Sequence, residues 1–212
     1  GKSTIVEEFG RIQYKSYILI DFTRLPRDVR DIFENQRDDF DTFFMLLSAY
    51  YRKRLYERES LIIFDEVQRY PAARELIKYL VADGRYDYVE TGSLISIKRN
   101  VANIVIPSEE RKMDMGPLDF EEFCWAMGEE LLAETIRKRA MRLWREYLLV
   151  GGMPQAVADY VEHRDFGEVD SIKRGILQLY SDDIGKFANG DAGHVRGIFA
   201  QIPGQLSKHE KR

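Results

Sequence analysis

The stretch LIIFDEVQ, residues 61–68, constrains the fold more than any other part of the chain. Four apolar residues in a row, two of them β-branched, form the pattern of a strand buried on both faces. That run ends on two adjacent carboxylates, Asp65 and Glu66. A carboxylate where the chain leaves a core is costly unless a partner compensates it. Either the two acids sit in the first turn of a following helix, aided by its dipole, or a cation and a water answer them. A second compact run, YILIDF at 17–22, reads as another buried strand, and YDYVETGS at 86–93 as a third, shorter and more polar. Helical patterns precede and separate the strands: 4–9 ahead of the first, then 40–57 with Phe43, Phe44, Leu47 and Tyr51 on one side, and 71–84 with Pro71 first and Gly84 just past the end. Strand and helix in alternation predict an α/β fold, an open parallel sheet with helices on both faces.

After about residue 116 the pattern becomes all helical: 119–128, 129–149, 154–163 and 168–187. Asp119 and Glu122 are spaced as a capping box, and Gly151–Gly152 followed by Pro154 stops one helix and starts the next. The tail IPGQLSKHEKR reads as a loop, with Ser207 opening a further helix. The expected domains are 1–116, 117–190 and 191–212, with the chain incomplete at both ends because it opens abruptly on GKST.

Composition narrows the partners. Hydrophobic residues make up 44% of 212, with 12 Phe and 12 Tyr, which is enough for a core and excludes wholesale disorder. The net charge of −4 supplies no global basic field for nucleic acid. Two short basic runs, Arg52–Lys53–Arg54 and Arg137–Lys138–Arg139, read as solvated faces first and nucleic-acid patches second. The single Cys124 cannot form an internal disulfide; on an apolar helix face it reads as a buried thiol, in keeping with a cytoplasmic protein. No apolar run of about 18 residues marks a membrane span. The three histidines lack metal-ligand spacing.

GKST at 1–4 is the back half of the phosphate-binding loop pattern G-x-x-x-x-G-K-[ST]. In such a loop Lys2 reaches the terminal phosphates and the Ser3 hydroxyl binds Mg²⁺. An acid at the end of a neighbouring buried strand completes the metal site, and Asp65 is so placed. Glu66 beside it suits the orientation or deprotonation of water. Thr91 or Ser93, in TGS at the tip of the third strand, suits a sensor of the water or terminal phosphate. Gln68 reads equally as a sensor of phosphate or partner and as a surface residue.

Together GKST, LIIFDEVQRYP, ELIKYLVADGRYDYVETGSLISI, PLDFEEFCWAMG, YLLVGGMPQAVADYV and LYSDDIGKF resemble one family. It is the bacterial and archaeal AAA+-type ATPases with a DEXQ Walker B motif and a trailing DUF4143 domain. The resemblance implies a P-loop NTPase core over 1–116, a helical domain, and the start of a winged-helix-like domain. It also implies ATP and Mg²⁺, with Gly1, Lys2, Ser3 and Thr4 in the phosphate loop and Asp65 and Glu66 as metal-side and catalytic acids. Thr91 to Ser93 would form the sensor strand, where the family more often has a small residue before Gly-Ser. A DNA or protein partner at the winged-helix-like region and a homo-oligomer are further expectations, the latter with Arg69, Arg85, Arg99 or Arg111 as a finger in trans. The expected function is Mg²⁺-dependent ATP hydrolysis driving a conformational change. The alternative is a nucleic-acid-binding or protein-docking module that ATP switches with negligible turnover.

Overall fold

A computed structural model describes residues 1–92, 110–129, 137–187 and 191–206. The chain divides into two compact units, Gly1–Met115 and Gly116–Arg212.

In the first unit the described order is α1 (Lys2–Gln13), β1 (Ser16–Asp21), α2 (Arg27–Asn35), α3 (Phe40–Tyr51), β2 (Ser60–Asp65), α4 (Pro71–Asp83) and β3 (Asp87–Glu90). The strands form a parallel three-stranded sheet in the order β1-β2-β3. Every residue of β2 is buried, as the unbroken apolar run requires of the central strand. Its alternate residues serve opposite faces. Ile62 and Phe64 join Ile18 and Ile20 in a core with Phe33 of α2, Phe43 and Leu47 of α3, and Leu80 of α4. On the other face α1 comes close at Gly10, where a Cβ would lie 3.2 Å from Leu61 Cδ2 and from Tyr17 Cβ. Only glycine allows that approach without displacing a neighbour. The phenylalanines meet edge to face, Phe33 on Phe43 at 5.1 Å and Phe22 on Phe64 at 5.5 Å, geometries that add to the burial itself.

Two differences from the sequence reading have physical causes. The third helix stops at Tyr51 rather than running to 57, because Arg52 turns left-handed at φ 52° and Lys53 N–H closes on the Ser48 carbonyl. Helix α2 was not anticipated at all. Charges dominate RDVRDIFEN, yet Val29, Ile32 and Phe33 lie on one face and are buried.

The second unit contains α5 (Phe120–Ala126), α6 (Arg137–Val150), α7 (Pro154–His163), α8 (Phe166–Phe187) and α9 (Ala192–Leu206). Its core gathers Phe123, Leu143, Val150, Val157, Tyr160 and Val169 around Cys124, and burial pushes the Cys124 thiol up. The capping box closes in both directions: the Asp119 carboxylate accepts from Glu122 N–H, and the Glu122 carboxylate from Asp119 N–H, each at 2.9 Å. At Gly152 an added Cβ would stand 2.0 Å from the Leu118 carbonyl oxygen, so the turn admits no side chain. The tail corrects the sequence reading again. Residues Ile202, Pro203 and Gly204 lie inside α9 rather than in a loop. A proline there removes one hydrogen bond from the helix but does not end it. Ser207 lies outside the described residues, as does the rest of the chain after it.

Candidate functional site

The carboxyl end of β2 is where the sequence-predicted residues gather. Asp65 is the last residue of the strand and is 8% exposed. Its Oδ1 accepts a hydrogen bond from Ser3 Oγ at 2.8 Å, across 62 positions of sequence. Thr91 Oγ1 donates to the same oxygen and accepts from the Glu66 N–H at 3.2 Å. Two backbone bonds tie the turn to the end of β3, from Thr91 N–H to the Phe64 carbonyl at 2.9 Å and from Val67 N–H to the Thr91 carbonyl at 3.1 Å. The start of α1, the end of β2 and the tip of β3 therefore converge on one carboxylate.

Glu66 does a different job from its neighbour because the backbone reverses between them. Its φ of 55° and ψ of 44° are left-handed, uncommon for a residue with a side chain. Such a conformation costs on the order of 1–3 kcal/mol and tends to occur where function over-determines the backbone. Gln68, on the 3-10 turn Val67–Arg69, donates from Nε2 to Glu66 Oε2 at 2.5 Å. Gln68 is 5% exposed, so its alternative as a surface residue is corrected.

Gly1 caps α1 without a side-chain hydrogen bond, leaving the backbone N–H groups of its first turn with no side-chain cap. Such a helix start favours anions. Lys2 and Thr4 are exposed beside it. Ser93 lies outside the described residues, as does Arg99. Of the other candidate arginines, Arg69 and Arg111 are exposed. Arg85 is engaged locally, by Asp83 at 2.7 Å and Asp41 at 2.6 Å, and those hydrogen bonds, Asp83 first, raise its pKa further.

The donor set fits Mg²⁺ rather than a softer metal. A hydroxyl and a carboxylate oxygen stand together, and Mg²⁺ is held by one or two carboxylates with phosphate and water completing the shell. Among the described residues no group of three or more His, Cys, Asp or Glu could hold a metal by itself.

The model of a family described as AAA domain matches residues 1–124, well over half of the chain. This chain belongs to that family, and membership carries a nucleotide-binding, ATPase-like function at the general level. A second match covers residues 141–211 and is a domain of unknown function, DUF8612, which corrects the expected DUF4143. The stretches YLLVGGMPQAVADYV and LYSDDIGKF fall within it. Their helix-stop glycines, starting proline and helical spacing describe a helical module without distinguishing one from another. No curated protein and no solved structure matches. No described helix is long and apolar enough to cross a membrane.

Two features of the site were not read from the sequence. One is the contact from Thr91 to Asp65, since the sequence reads the threonine as a sensor of water or phosphate. The other is the hold of Gln68 on Glu66.

Proposed function

We propose that the chain binds ATP at the start of α1 and hydrolyses it with Mg²⁺. The observation that carries this is the bond from Ser3 to Asp65, which puts a phosphate-loop hydroxyl and a strand-end carboxylate at one point. The exposed N–H groups of α1 and the Lys2 ammonium bind the phosphates. Ser3 and Asp65 hold the metal, and Thr91 keeps the Asp65 carboxylate oriented. When bound, Mg²⁺ neutralises charge on the phosphate oxygens. Glu66 accepts a proton from water as the water oxygen bonds to the terminal phosphorus. The bond from that phosphorus to the bridging oxygen breaks, and ADP and phosphate leave. Gln68 fixes the rotamer of Glu66 so that its carboxylate is in place beforehand.

The helical unit from residue 116 would respond to nucleotide state. A winged-helix-like extension, a DNA or protein partner there, and assembly with a finger arginine are part of the same proposal. The test is ATP affinity measured with and without Mg²⁺. Ser3→Ala and Asp65→Asn should each abolish most of the gain that Mg²⁺ confers, by about tenfold or more, consistent with the worth of a charge-assisted ligand. If both variants keep that gain, the metal is not held here.

A further inference from the structure

The opposite end of the sheet carries a groove of different chemistry. Ser16 and Ser60 begin β1 and β2 side by side, and Asp21 and Asp65 end them. Five residues at roughly 3.3 Å each put about 16 Å between the two ends. Around the starting end lies an open groove of about 310 Å³. Arg11 and Tyr14 line it from the end of α1, and Lys15, Ser16 and Tyr17 from the start of β1. Lys53, Arg54 and Tyr56, after α3, complete the wall. Every lining residue is a cation, a phenol or a serine, and none is acidic.

The charges are not all compensated. Arg11 is paired with Glu8, and Lys15 with Glu59 at 3.1 Å. Two further acids nearby are engaged by phenols: Tyr14 Oη donates to Asp87 at 2.8 Å, and Tyr17 Oη to Glu7 at 3.1 Å. Lys53 and Arg54 have no carboxylate partner among the described residues. They lie instead over aromatic rings, Lys53 at 5.5 Å from Tyr17 and Arg54 at 5.2 Å from Tyr56, with Lys15 at 4.1 Å from the same Tyr56 ring. The dipole at the end of α3 favours cations in this turn, which accounts for basic residues here but not for the tyrosines around them. Uncompensated cations interleaved with aromatic rings are the chemistry that binds nucleotides, the cations taking phosphate and the rings stacking with bases. The volume is at the low end of the range for ligand pockets.

We propose that this groove binds a nucleoside phosphate, free or as one unit of single-stranded nucleic acid, with phosphate on Lys53 and Arg54 and the base beside Tyr17. The site is separate from the ATP site and has none of its metal donors.

The test uses the full chain and a labelled oligothymidylate, followed by fluorescence anisotropy at several salt concentrations in the presence of a metal chelator. Two phosphate contacts predict a log–log salt slope of about −1.4 for a single strand. In the double variant Lys53→Gln/Arg54→Gln, affinity should fall at least about tenfold and the slope should approach zero. Both side chains are exposed, so the fold should survive, which circular dichroism checks. Tyr17→Leu should weaken binding about fivefold or more with the slope unchanged, as loss of stacking does. Competition by thymidine monophosphate assigns the site to free nucleotides as well; failure to compete assigns it to strands. Lys2→Ala, which disables the ATP site, should leave oligonucleotide binding unchanged. The proposal is overturned if neither probe binds, or if the double variant binds as the wild type does. It is equally overturned if Lys2→Ala abolishes binding, or if Arg142→Gln/Arg145→Gln, which removes two exposed cations on α6, costs as much.

Discussion

Asp65 and Glu66 are neighbours in sequence but occupy different environments. Asp65 is the last strand residue, buried and accepting two hydroxyl donors, so removing it strands Ser3 and Thr91. Asp65→Ala should destabilise the first unit by roughly 1–3 kcal/mol, the cost of leaving buried polar groups unpartnered, as read from urea unfolding. Glu66 sits past the reversal and is half-buried, so Glu66→Gln should leave unfolding nearly unchanged. Gln68→Leu removes the hydrogen bond that anchors the Glu66 carboxylate, 2.5 Å from Gln68 Nε2 to Glu66 Oε2. It should lower kcat by about tenfold with little change in KM, because the loss is one of positioning. An effect on KM alone would argue that Gln68 contacts nucleotide instead. That Asp65 closes the buried strand and needs a partner was legible, since a buried run ending on carboxylates demands compensation. The roles of Gln68 and Thr91 were not. A hydrogen bond spanning 26 positions leaves no period in the sequence, and Gln68 is buried by a local 3-10 turn that no apolar spacing announces.

At the scale of elements, legibility followed punctuation. Helix α7 begins at Pro154 and α4 runs from Pro71 to a left-handed Gly84, because fixed φ at a start and freedom at an end are written in those residues. Helix α9 was missed for the same reason: Pro203 and Gly204 look like a loop but lie within its last turns. Helix α2 was missed because three buried apolar residues are outnumbered by charges. The turn at Gly152 gives the sharpest test at this scale. Gly152→Ala forces a Cβ against the backbone of Leu118, which no side-chain rotation relieves. A loss of about 3 kcal/mol or more is expected in the second unit, well beyond the roughly 1 kcal/mol expected for Gly84→Ala at φ 75°, whose surroundings are open.

For the whole molecule, alkaline pH exposes how the tyrosines are held. Burial, followed by the charge of Tyr50 and Asp21, pushes Tyr51 up to about 12; burial and then Asp87 do the same for Tyr14. Burial raises Tyr88 as well. A folded-state pKa above the unfolded value of about 10 means that the unfolded chain loses these protons first. Their contribution is therefore complete below pH 10 and lost as pH rises from 10 through about 12. Stability followed by circular dichroism should be level up to that window and fall within it, together with late phenolate absorbance. The α/β class and the helical second half were legible from alternation and spacing, and the AAA family from combined motifs. The identity of the second module was not, because helical periodicity is common to many.

The central claim is that Asp65 and Glu66 end a buried strand because one holds a metal and the other a water. The direct measurement is ATP binding and phosphate release by the full-length protein, wild type against Lys2→Ala and Glu66→Gln. Lys2→Ala should lose binding, while Glu66→Gln should bind ATP and release phosphate at least about a hundredfold more slowly, the scale of a general base. Turnover unchanged by Glu66→Gln would contradict the account and leave the paired carboxylates as a structural turn.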